Sequence, residues 1–339
     1  GKIFDGDGKT PITTDLGIKD NIISEIDKID SDKGKEVIDL DGLAVSPGFV
    51  DMHTHSDFTL MVNGRAESQV HQGVTTEVVG QCGISCAPAN SDKDIKQMAI
   101  GYCENSHKLG WRSFKDYLSS LEKNKLGVNV AAFVGHGAVH NNVLGNELRA
   151  PDNDEIDKMC KIIEESLDEG AAGFSSGLEY WPGSLAKSQD LVFMCEKVAK
   201  RNKIYATHVR NRDNHYDLGF TEALTTARQS GVKLQISHIQ PKYGAPDYAM
   251  EHTLKMIETF RKLGVDVAFD YYANESFNVF LNGSWVSQNE WIVGESNDDG
   301  LSTDSFLEKP TLMWNVGFNY YPVGKKLNMS GRFHHNHHT

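Results

Sequence analysis

From residue 44 to residue 271 short apolar runs alternate with amphipathic helical patterns, and this alternation constrains the fold more than any other feature. The runs at 44–53, 75–82, 129–136, 171–176, 203–208, 232–238 and 266–271 read as strands. Helices are expected at 92–102, 113–123, 153–170, 188–201, 217–229 and 247–263. In NDEIDKMCKIIEESLDEG (153–170), Ile156, Met159, Cys160, Ile163 and Leu167 recur at i, i+3, i+4 spacing, and Gly170 stops the helix. Strand–helix repeats of this kind predict a parallel sheet with helical crossovers. Seven units with chemically loaded strand ends predict an α/β fold, a (β/α)8 (TIM-like) barrel rather than an open sheet. No G-x-G-x-x-G follows a strand, which removes the main reason to prefer a dinucleotide fold. An eighth strand is hard to find; WIVGES (291–296) is the best candidate, so the barrel is expected to be incomplete there.

The two ends read differently. Residues 1–45 carry short alternating stretches, DLGIKDNIISEI (15–26) and KEVIDLDG (35–42), punctuated by Gly and Asp, which predict a small antiparallel β region. Residues 46–274 form the expected barrel, and 275–339 a C-terminal segment in which the alternation fades. His334, His335, His337 and His338 at its end read as a disordered tail rather than a chelate.

A chain of 339 residues, 39% of them hydrophobic, is long enough to bury a sizeable core. The formal net charge of -13 argues against a nucleic-acid partner. No apolar run approaches the length of a membrane span. The five cysteines, at 82, 86, 103, 160 and 195, do not make a disulfide scaffold, and a cytoplasmic setting is expected. The oligomeric state is left open, as is the true start, since the chain begins at Gly1 rather than Met.

The chemistry concentrates at strand ends. In GLAVSPGFVDMHTHSD (42–57) the first apolar run ends in His53 and His55, which share a face because strand side chains alternate. The second run ends near Cys82, the third at His136, the fifth at His208, the sixth at His238 and the seventh at Asp270. Any one of these alone is more often a packed core residue than a ligand. Recurring at one structural level, a thiolate and several imidazoles suit a one- or two-metal hydrolytic site, with zinc favoured by the soft donors. His136 fits a substrate-contacting role equally well. Cys86, Cys103, Cys160 and Cys195 read as structural.

GLAVSPGFVDMHTHSD resembles the first-strand signature of the amidohydrolase superfamily. More narrowly, GVTTEVVGQCGISCAP (73–88), GAAGFSSGLEYWPG (170–183), YATHVRNR (205–212) and QISHIQPKYG (235–244) resemble the D-aminoacylase (N-acyl-D-amino-acid deacylase) family, over nearly all of residues 1 to 274. The resemblance implies a metal-dependent barrel beside a small β-sandwich built from both chain ends. It implies a tightly held zinc on Cys82, His208 and His238, and a second, weaker site on His53 and His55 that Cys82 can bridge. Glu179 is an alternative ligand of lower rank. Tyr180 and Arg210 are candidates for the substrate's carboxylate, because arginine offers a bidentate fork. The implied substrate is a small N-acyl-D-amino acid, cleaved at its amide by metal-activated hydroxide to a carboxylate and a free D-amino acid.

The pattern departs from the family at the proton-shuttling aspartate expected after the eighth strand. Only SNDDG (296–300) matches its context, and it comes soon after the seventh strand; Asp298 and Asp299 are the candidates. Two alternatives therefore stand beside the deacylase. One is a truncated, catalytically inactive amidohydrolase-like fragment, with or without the capacity to bind metal. The other is a related dihydroorotase-type or dipeptidase-type hydrolase of cyclic amides or peptides.

Overall fold

Seven strands in chain order form one sheet: β1 (Phe49–Asp51), β2 (Val74–Val79), β3 (Asn129–Gly135), β4 (Gly173–Gly177), β5 (Ile204–His208), β6 (Lys233–Ile236) and β7 (Val267–Asn274). Every neighbouring pair from β2 to β7 is parallel, with Ile204 opposite Gly173 on one side and Lys233 on the other. The computed structural model describes residues 1–6, 10–20, 22–97, 109–274, 277–280, 315–316 and 331–332. Laid flat, six strand spacings would separate the first strand from the seventh by about 29 Å. Instead His53 Nδ1, just past β1, lies 3.1 Å from Asp270 Oδ2 on β7. The sheet is curled, its strand C-termini converge, and it forms an incomplete barrel of the expected class.

The eighth place holds β8 (Phe277–Phe280), which pairs antiparallel with β7, Asp270 opposite Phe280. The expected strand at 291–296 lies outside the described residues. Inside the curl, Val78, Phe133 and Ala206 pack together from β2, β3 and β5. Outside it, the crossover helices cover the sheet. Asn153–Asp168 buries Ile156, Met159, Cys160, Ile163 and Leu167 along one stripe, as the spacing predicts. Its start is fixed by a capping box: the Glu155 amide donates to Asp152 at 2.9 Å and the Asp152 amide to Glu155 at 2.8 Å. Losing such a cap costs about 1 kcal/mol.

Two elements differ from the sequence expectation. The run 44–53 is not one strand, because Pro47 lacks an amide donor and the chain breaks around it. Ala44–Val45 pairs with Lys2–Ile3, and Phe49–Asp51 begins the barrel sheet. The third strand ends at Gly135, and His136 opens a helix, His136–Leu144, that the sequence pattern did not suggest.

The chain divides into two compact units, Gly1–Phe49 and Val50–Thr339. In the first, Lys2–Ile3 lies between Ile12–Thr13 and Ala44–Val45, and Asp15–Lys19 pairs with Ile22–Asp27 as a hairpin. These are two small sheets with Ile18, Ile22, Val37 and Ile38 exposed, and most of the C-terminal segment on which the expected β-sandwich draws lies outside the described residues. No described helix is long and apolar enough to cross a membrane.

Candidate metal centre

Cys82 follows β2 in a turn built from Gly80, Cys82 and Gly83, all at positive φ. Glycine is required at position 80, where a Cβ would stand 2.2 Å from the Phe133 carbonyl oxygen. Cys82 itself sits at φ 55, and His238, just past β6, at φ 36. Left-handed backbone is costly for side chains of this size, and such strain clusters at functional sites. Here it directs a thiol and an imidazole toward each other.

Two sets of donors share the Cys82 sulfur: His53, His55 and Cys82, and Cys82, His208 and His238, each with its ligand atoms within 4.8 Å of one another. Cys82 Sγ lies 3.2 Å from His53 Nε2 and 3.6 Å from His238 Nε2. Zinc bonds of about 2.3 Å to sulfur and about 2.05 Å to nitrogen, set tetrahedrally, would place sulfur and nitrogen about 3.5 Å apart. The donor set therefore fits a zinc-like ion in chemistry and in spacing.

Carboxylates hold the rings. Asp270 accepts from His53 Nδ1 at 3.1 Å, from Gln235 Nε2 at 3.4 Å and from the backbone amide of His238. Holding Nδ1 leaves His53 Nε2 to face the sulfur, the arrangement that orients metal-ligating histidines. Glu179 Oε2 lies 2.6 Å from His208 Nε2, which leaves the other ring nitrogen for a ligand role. Glu179 in turn receives Lys242 at 2.6 and 2.7 Å, and Arg212 stands 3.8 Å away.

Burial alone would push the Cys82 thiol up, but His53, His208 and His238 outweigh it and hold the thiol well below its ordinary range, as a thiolate. Burial likewise works against a charged His53, yet the Cys82 thiolate and Asp270 raise it well above the ordinary histidine value. Burial dominates at His238, which falls to about 4. At Glu179 burial opposes ionisation, but Lys242 and His208 bring its carboxyl down to about 2.

The five expected ligands, His53, His55, Cys82, His208 and His238, are thus brought together. Glu179 holds His208 rather than standing in either donor set. Tyr180 lies against His208 and donates its hydroxyl to the Cys82 carbonyl at 2.6 Å. Arg210 is spent elsewhere: its guanidinium binds Glu222 and the carbonyls of Ser184 and Ala186. Asp298 and Asp299 lie outside the described residues. The sequence reading assigns no role to Arg212 or Lys242 and names Asp270 only as the carboxylate that ends the seventh run. Asp270 carried a usable signal, a carboxylate at a strand end, and Lys242 stood in the QPKYG motif.

A model of the amidohydrolase family matches residues 36–268. The D-aminoacylase of Alcaligenes xylosoxydans xylosoxydans is 32% identical over 276 residues, 80% of this chain and 56% of that protein. The structure is similar to that of N-acyl-D-glutamate deacylase from Bordetella bronchiseptica, complexed with zinc and a phosphonate mimic of the tetrahedral intermediate. The TM-score is 0.73 and the identity 29%, covering 82% of this chain and 58% of the other. A D-aminoacylase structure with a binuclear metal centre matches with a TM-score of 0.72 and 29% identity, again over 82% and 58%. The chain spans a little over half the length of these relatives.

Proposed function

The chain belongs to the amidohydrolase family, and from that premise we propose that it cleaves the amide bond of N-acyl-D-amino acids, releasing a carboxylate and a free D-amino acid. The supporting observation is the Cys82 thiolate shared by two histidine pairs at the convergent strand ends. Relatives named for D-aminoacylase and N-acyl-D-glutamate deacylase activity supply the substrate class. In this proposal zinc is the metal, tight on Cys82, His208 and His238 and weaker on His53, His55 and Cys82. A reducing compartment, the cytoplasm, keeps Cys82 unoxidised.

Bound there, zinc would acidify a water and polarise the amide carbonyl. The chain's residues do the rest. Asp270 and Glu179 fix the imidazoles so that little reorganisation remains. Lys242 gives two of its three N–H groups to Glu179 and keeps one for the substrate's carboxylate, with Arg212 behind it. Arg210 would first have to leave Glu222, so it ranks behind Lys242 for that contact. Tyr180 walls the same space beside His208. The carboxylate of Asp298 or Asp299 takes the water's proton and passes it to the departing nitrogen as the C–N bond breaks.

Metal content and turnover of N-acetyl-D-methionine, measured together beside Cys82→Ala, test the proposal. Bound zinc with turnover, both lost in Cys82→Ala, is the expected result. Zinc without turnover of any N-acyl-D-amino acid would mean a chain that keeps its ligands and lacks a working proton shuttle.

A further inference from the structure

The barrel strands do not serve the metal centre alike. β1, β2, β5 and β6 lead into His53 and His55, Cys82, His208 and His238, and β7 carries Asp270. β3 and β4 lead to no donor of either set, and β4, GFSSG, ends in serine and glycine. What β4 brings goes to the turn that presents Cys82. Ser175 Oγ donates to the Gly80 carbonyl and accepts the Gly83 amide at 3.0 Å, so one hydroxyl closes both ends of the turn. Just past β4, the Tyr180 hydroxyl donates to the Cys82 carbonyl at 2.6 Å. Gly177 makes room for that bond: a Cβ there would stand 2.2 Å from the Cys82 carbonyl oxygen and 2.2 Å from the Tyr180 hydroxyl. Left-handed backbone at a residue such as Cys82 persists only where the surroundings over-determine it, and Ser175 and Tyr180 supply three of the hydrogen bonds that do so. Ser176 is the natural contrast. It is as fully buried as Ser175 and points to the other face of the strand, where its hydroxyl meets Tyr205 at 2.6 Å and Thr207 at 2.9 Å.

We propose that β4 serves the metal centre as a clamp, and that Ser175 and Tyr180 are positioning residues that fix the Cys82 sulfur at the point both donor sets share. The inference rests on the metal centre of the function proposed above and not on its substrate. A hydroxyl that only satisfied buried backbone would stabilise the fold and nothing more. One that fixes the backbone of a ligand also sets where the sulfur stands when an ion arrives, and spares that ion the ordering of its ligand. The same geometry changes the role of Tyr180. A phenol has one O–H to donate; committed to the Cys82 carbonyl, it is not offered to the substrate's carboxylate, the contact that the sequence reading expects of it.

Chelator competition on the full chain gives its zinc affinity, and cobalt in place of zinc gives a sulfur-to-metal charge-transfer band that reports the bond to Cys82. Ser175→Ala is expected to lower zinc affinity by about 10- to 100-fold and Tyr180→Phe by about tenfold, each weakening the band. Ser176→Ala removes an equally buried hydroxyl from the same strand and should leave affinity and band as in the wild type. Wild-type affinity and band in Ser175→Ala or in Tyr180→Phe, or an equal loss in Ser176→Ala, overturns the clamp. Tyr180→Phe takes one oxygen from a half-buried ring, so the test survives a Ser175→Ala chain that does not fold. Hydrogen exchange of the metal-free chain separates the clamp from the metal centre: the segment carrying Gly83 should exchange about tenfold faster in Ser175→Ala. A wild type that binds neither ion, together with that faster exchange, sinks the metal centre and leaves the clamp standing. An unchanged exchange rate overturns the clamp whatever the metal result. Zinc affinity that follows the clamp, without turnover of any N-acyl-D-amino acid, sinks the deacylase function and leaves the clamp in place.

Discussion

The pair His208 and His238 and the pair His53 and His55 meet the same sulfur, yet they are prepared for a metal to different degrees. His208 and His238 are both buried, one ring held by Glu179 and the other's backbone pinned by Asp270 and strained to positive φ. His53 is equally well held, by Asp270, but His55 is only partly buried and its Nδ1 has no hydrogen-bond partner among the described residues. One weakly held ring in a donor set means that an ion binding there must also order a ligand. Unequal preparation should appear as unequal affinity.

The sharpest way to break this comparison is to remove one ring from each pair. His238→Ala should abolish tight zinc binding and reduce turnover by about a thousandfold or more, whereas His55→Ala should lose only a weakly held second ion and keep turnover within about tenfold. Zinc titration with assay at each stoichiometry decides, and equal losses in the two variants would erase the distinction. Asp270→Asn is the next largest effect. Because Asp270 touches His53 and the His238 backbone together, zinc affinity should fall about 10- to 100-fold for both ions, and a loss confined to one would show that the two sets are held independently. The smallest effect concerns pH and the unpaired ring outside both sets. Folded His136 titrates at about 3, below the ordinary histidine value of 6.5. The stability of its neutral form is therefore full above that value and declines as pH falls from there toward about 3, by up to about 1.4 kcal/mol per unit. Urea unfolding of the wild type at about pH 7 and about pH 5, compared with His136→Leu, should show a shallower acid dependence in the variant.

Much of the centre was legible because strand ends in a barrel share one level, so His53, Cys82, His208 and His238 announced themselves by position. What stayed hidden had physical reasons. His136–Leu144 is buried on nearly every side, so it lacks the polar face that makes a helix visible in a sequence. Arg210 and Arg212 are two residues apart and alike in chemistry; only the fold sends one to Glu222 and the other to the His238 carbonyl. The role of Asp270 depends on contacts with His53 and His238, which no local pattern encodes. The run 44–53 carried its own warning in Pro47, which ends one pairing before the next begins.

The bond between His53 and Asp270 joins residues 217 positions apart. Contacts of such long sequence separation bear a large loop-closure entropy and form late. A chain emerging from the ribosome would therefore display His53, His55 and Cys82 long before their orienting carboxylate had been made. Mature metal geometry would then arise near the end of folding, after the seventh strand docks, so that loading reports a finished arc of sheet rather than a nascent one.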